Sequence, residues 1–104
     1  MDVYPLALTE LGSMARFELA AGSTSIAMSH RTVDEIWYVI SGRGELWRSS
    51  VGKIALESGV CVTIPCGTGF QVRAADPLVV IAVTMPPWPG DDEAVRVADH
   101  WRSD

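Results

Sequence analysis

Long apolar runs are missing from this chain. The longest, LVVIAV at 78–83, falls far short of the ~20 residues that a helix needs to cross a bilayer, so it reads as a buried strand and no membrane partner is expected. Clustered positive charge is missing too. Eight Lys and Arg stand against 13 Asp and Glu, a net charge of -5. No stretch gathers basic residues into a patch able to follow a phosphate backbone, which argues against nucleic acid. Cysteine is scarce. Cys61 and Cys66 are too few for a disulfide framework, and their spacing is not a usual zinc spacing. Cys66 has no basic neighbour in sequence to lower its pKa and reads as an inert thiol. The first residues, MDVYPLALTELG, hold no basic segment ahead of an apolar one, so no secretory leader is expected and the cytoplasm is the default compartment.

What is present describes a folded chain. With 104 residues, 48% of them hydrophobic and 20% charged, it has the composition of a single domain spanning 1–104, with room for one core and one site. Alternation of apolar and polar residues marks strands at 14–20, 24–30, 35–41, 45–50, 53–56, 60–65, 70–74 and 78–84. In TSIAMSH the period of two puts Ile26, Met28 and His30 on one face. In EIWYVIS it puts Glu35, Trp37 and Val39 on one face and Ile36, Tyr38 and Ile40 on the other. Both faces are apolar, so both should be covered, and the outer one calls for a second copy of the chain.

Gly42-Arg43-Gly44 reads as a tight hairpin, with Arg43 and Arg48 as surface charges on it. Pro65 closes the strand before it, since proline cannot donate to a ladder. The tail DDEAVRVADHWRSD fits an extended or irregular arm that packs Trp101, with a single helical turn as the competing reading. Many short strands, turns every few residues and no convincing helix before residue 90 predict an all-β sandwich or barrel.

Two segments then carry a resemblance. Five residues separate Gly22 from Met28, one separates Met28 from His30, four separate His30 from Glu35 and six separate Glu35 from Gly42. Five separate Gly59 from Pro65, with Gly67, Phe70 and Ala74 in register behind it. These intervals resemble the two motifs of the cupin family: Gly-x5-His-x-His-x3–4-Glu-x6-Gly, and Gly-x5-Pro-x-Gly-x2-His-x3-Asn. The resemblance implies an antiparallel β-barrel of jelly-roll type, also called a double-stranded β-helix.

The departures decide what else it implies. Family members typically hold one divalent metal with three histidines and the glutamate. Here Met28 and Phe70 replace two of the histidines and Ala74 the asparagine, which leaves only His30 and Glu35. That is fewer than the three protein ligands of a catalytic zinc or a facial iron site, so no cofactor is expected; a divalent metal, if held, would have His30 and Glu35. His100, the one other histidine, would have to reach across from the tail.

The leading expectation is a small molecule bound in a degenerate site lined by Met28, His30, Glu35 and Phe70. In the alternative, an enzyme of isomerase or epimerase type, His30 and Glu35 are the catalytic acid–base pair acting on a small carbonyl or sugar-like substrate. A metal-dependent oxygenase or isomerase comes third. Trp37, Tyr38 and Trp47 are read as core or subunit interface rather than ligand contacts, and a homodimer is expected.

Overall fold

The computed structural model describes residues 1–103. Ten strands form two five-stranded antiparallel sheets laid face to face. The first sheet runs β1 (Asp2–Leu8), β2 (Ser13–Leu19), β9 (Leu78–Met85), β4 (Asp34–Ser41) and β7 (Cys61–Ile64). The second runs β10 (Ala94–Arg96), β3 (Met28–His30), β8 (Phe70–Ala74), β5 (Arg43–Arg48) and β6 (Gly52–Glu57). No helix occurs among the described residues, so none is long and apolar enough to cross a membrane. The expected all-β jelly roll is present as two packed sheets, with no ladder closing them into a continuous barrel.

The core lies between the sheets because alternating residues of facing strands point there. In β4, Glu35, Trp37 and Val39 are buried while Ile36, Tyr38 and Ile40 keep 43%, 48% and 44% of their surface. In β9, Leu78, Val80 and Ala82 turn inward with Thr84. From the other sheet come Leu46, Leu56, Phe70 and Val72. Burying each such side chain is worth about 1.5–3 kcal/mol, so it is the alternation itself that selects this register.

Several readings of the sequence need correction. Gly42-Arg43-Gly44 is not a hairpin, because β4 and β5 belong to different sheets. The glycines serve a crossing instead. Gly42 has φ +92°, and a Cβ on it would collide with the Pro77 carbonyl; one on Gly44 would collide with the Arg73 carbonyl. The chain can pass from sheet to sheet only where it touches the opposite crossing, residues 75–77, backbone to backbone. There the Arg43 carbonyl accepts from Ala75 and Asp76 N–H, and Arg43 pairs with Asp76 at 2.8 Å. Arg48 is no free surface charge either: it is half-buried and donates to the Thr63 carbonyl at 2.8 Å, tying β5 to β7 of the other sheet.

The strand expected over 24–30 shrinks to Met28–His30. Ahead of it the alternation breaks, since Ala27 is fully buried and Ile26 is 42% exposed. Strand β1 has no counterpart in the expectations. All seven of its residues are exposed, and Pro5 stands at a register shift, so neither alternation nor composition announces it.

The tail is extended, as the first of the two readings had it, and one side chain fastens it. Gln71 has no exposed surface; its Nε2 donates to the Ser25 and Trp101 carbonyls, and its Oε1 accepts from His100 and Trp101 N–H. Arg73 adds a guanidinium 4.3 Å over the Trp101 ring. Replacing Gln71 by leucine leaves four part-buried backbone groups without this partner, which should cost roughly 2–4 kcal/mol in denaturant unfolding. Exchange protection should disappear at His100 and Trp101 N–H first; protection equal to that of the parent would refute the clasp.

Candidate functional site

At one end of the sandwich the sheets part around a cavity of about 540 Å³. Its outer wall is the inward edge of β1 and β2, with Val3, Pro5 and Phe17. The floor is built by β3, β4 and β8. Pairing in the second sheet sets Met28 opposite Phe70 and His30 opposite Ala94; pairing in the first sets Glu35 between Ile64 and Thr84. Met28, His30, Glu35 and Phe70, distant in sequence, therefore line one cavity.

Burial at the floor is nearly complete, at 3% exposed for His30 and Phe70, 2% for Glu35 and 0% for Trp37. His30 Nε2 lies 3.6 Å from Glu35 Oε1, beyond a good hydrogen bond but within strong electrostatic reach. Five rings line the cavity as a connected chain: Phe17 on Trp37 at 5.8 Å, Trp37 on Phe70 at 6.0 Å, and His30 against Phe70 and Trp88 at 5.1 Å each, all edge to face. Among the described residues, His30 Nδ1 and Trp37 Nε1 are buried with no hydrogen-bond partner.

Electrostatics follow from this burial. Loss of water pushes the Glu35 carboxyl up to about 7, so near neutrality it can hold or release a proton. The Trp37 indole N–H faces the carboxyl and holds the rise back, yet it reaches no hydrogen-bond geometry and its nitrogen stays unpartnered. Burial lowers His30 from its ordinary value, and the Glu93 carboxylate only partly offsets this. The imidazole is thus neutral beside a carboxyl that titrates.

Glu93 is a member of the site that sequence reasoning missed. It is buried and accepts from Thr32 N–H at 2.7 Å, Thr32 Oγ1 at 2.6 Å and Val33 N–H at 2.9 Å, clamping the turn between His30 and Glu35. Desolvation would raise its pKa, but those hydrogen bonds and the nearby imidazole outweigh it and hold the carboxyl below its ordinary value. Trp88 and Phe17 were also missed as cavity walls. Trp88 follows β9, whose last residue Met85 pairs with Asp34, so the chain leaving β9 emerges beside Glu35.

The donor set does not fit a resident transition metal. Met28 offers a thioether, the Phe70 ring occupies a ligand position of the motif and offers nothing, and among the described residues no three His, Cys, Asp or Glu side chains converge. His100 does not reach the cavity; its ring stacks on Trp47 at 4.9 Å, 5° from parallel, and that pair lies among the tail contacts.

Comparison with known proteins agrees with the fold and the motif spacing. The cupin-domain sequence profile matches residues 15–84, so the chain belongs to the cupin family. No curated protein matches it in sequence at a significant level. Among solved structures it is similar to KdgF from Halomonas sp., at 24% identity and a TM-score of 0.75 over 81% of this chain and 78% of that one. Ectoine synthase from P. lautus superposes at 18% identity and a TM-score of 0.78, over 96% and 78% of the two chains. A double-stranded β-helix protein from Klebsiella pneumoniae superposes at 17% identity and 0.75, over 92% and 86%. Likeness at these identities speaks for the fold alone.

Proposed function

We propose that this cupin binds a small molecule in the cavity above His30 and Glu35, with Met28 and Phe70 as apolar contacts and no resident metal. One observation carries the reading: a cavity of about 540 Å³ has an apolar wall, while its floor holds buried polar atoms, His30 Nδ1 and Trp37 Nε1, without protein partners. Apolar enclosure with a few convergent polar groups is the usual make-up of a ligand site. A bound molecule would supply the missing partners.

The test is a thermal-shift panel of small apolar molecules carrying one polar group, run on the parent and on Met28→Trp, which fills the cavity. Binding members should raise the melting temperature of the parent alone. If none does so, or if Met28→Trp responds equally, the cavity is not the binding site.

A second reading, that the site is catalytic, draws on a carboxyl at about 7 set 3.6 Å from a neutral imidazole. Such a pair can donate and accept a proton at neutral pH, as an isomerisation next to a carbonyl requires. Turnover of a carbonyl or sugar-like substrate abolished by both His30→Ala and Glu35→Gln would promote it above binding. The names of the ectoine synthase and KdgF neighbours do not decide between the readings. A homodimer belongs to the same proposal: Ile36, Tyr38 and Ile40 are 43–48% exposed, on a sheet face that a second copy would cover.

A further inference from the structure

The side-chain charge of the cavity is one-sided. Its ionisable side chains are Glu35, His30 and Asp91, no Lys or Arg side chain lines it, and its positive group is the amino terminus of Met1, next to β1. Glu93 adds a third carboxylate, close enough to act on the His30 imidazole. The whole chain carries a net charge of -5, so the surrounding field has the same sign as the floor. An anionic ligand would meet Glu35, Asp91 and this field, with no basic side chain as countercharge and only the amino terminus of Met1 on the lining. A buried carboxyl whose only ion-pair neighbour among the described residues is an imidazole at 3.6 Å is, by contrast, half of a site for a cation.

The aromatic lining supplies the other half. Phe17, Trp37, Phe70 and Trp88 line the same cavity as Glu35. They meet one another or His30 edge to face, at 69–88°, so that rings of different orientation surround the floor. Cages of this composition attract ammonium groups through the negative faces of the rings, most strongly where water is excluded. The Trp37 N–H, left without a partner, lies near enough to the Glu35 carboxyl to favour its ionised form.

We infer that the ligand of this cavity is a protonated amine on an apolar body, with the ammonium against Glu35 and the body along Met28, Phe70 and Phe17. This inference rests on the cavity being the binding site. His30 Nδ1 accepts one ammonium proton, Glu35 accepts another, and the apolar remainder fills the space towards β1.

Three probes share one skeleton and differ in charge: 4-phenylbutylamine, 4-phenylbutanol and 4-phenylbutyrate. Titration calorimetry at about pH 8, where Glu35 is mostly ionised, should find the amine about tenfold tighter than the alcohol, with the carboxylate weakest. In Glu35→Gln the amine should fall to the affinity of the alcohol, and in Met28→Trp all three should lose binding. If the alcohol matches the amine, or the amine keeps its affinity in Glu35→Gln, the cation preference is wrong while the cavity reading stands. If the amine and the alcohol bind equally to the parent and to Met28→Trp, or not at all, both readings fall.

Discussion

Replacing Glu35 by glutamine should stabilise the protein in alkali and do little in acid. The carboxyl has an ordinary value of 4.5 and is raised to about 7 by burial in the folded chain. Between these values the folded state holds a proton that the unfolded state has released. The contribution of Glu35 is therefore fully present below pH 4.5 and is lost as pH rises through about 7, at up to ~1.4 kcal/mol per pH unit. Above that window the parent carries a buried charge costing roughly 3 kcal/mol that the glutamine variant lacks.

His30 works in the opposite sense. Its folded value lies below 6.5, so its contribution is present above pH 6.5 and is lost as pH falls. The two groups are 3.6 Å apart and titrate as a unit, so the pH profile of the parent alone mixes them. Subtracting the profile of Glu35→Gln, from urea unfolding at intervals between pH 4 and 9 (about the range where the two groups titrate), isolates the carboxylate. A difference that stays flat across this range would show that Glu35 ionises as freely in the folded protein as in the unfolded one.

The second large effect concerns association. The outer face of the first sheet presents Ile36, Tyr38 and Ile40 from β4, and beside them the half-buried Val79, Ile81 and Val83 from β9. Neighbouring strands place these six side chains in one apolar strip at the middle of the sheet, where isolated sheets of monomeric proteins carry polar residues. A second copy related by a twofold axis would bury strip against strip, the commonest closed arrangement of identical chains.

Ile36→Lys puts a charge into that strip, beside Val83, but disturbs little within one chain, since Ile36 is 43% exposed; its own fold should change by no more than about 1 kcal/mol. Sedimentation equilibrium at micromolar concentration should give twice the 11.2 kDa chain mass for the parent and the single-chain mass for the variant. A parent that sediments as one chain would refute the dimer.

The period of two in EIWYVIS made β4 legible and sorted Glu35, Trp37 and Val39 from Ile36, Tyr38 and Ile40, but with apolar residues on both faces it did not show that the second set keeps 43–48% of its surface in the single chain. The motif intervals likewise made Met28, His30, Glu35 and Phe70 legible as neighbours. What could not be read depends on contacts between distant segments. Gly42 and Gly44 look like a hairpin locally, and only the closeness of Pro77 and Arg73 shows that they serve a crossing. Glu93 lies 60 residues from the Val33 N–H it holds, and nothing in its own surroundings in sequence distinguishes it from Asp91 or Asp92. Gln71 alternates with Phe70 and Val72 in the strand at 70–74, yet it is fully buried because the tail folds over it.

Strand β1 pairs with β2 alone, leaves its other edge free and buries none of its residues, while its Val3 and Pro5 wall the cavity. The buried floor and the most exposed strand of the molecule thus bound the same space. Detaching β1 sacrifices one ladder and almost no packing, a local opening far cheaper than unfolding. The rate at which a molecule enters or leaves should then follow the fraying of β1, leaving the strength of its binding to the residues on β3, β4 and β8.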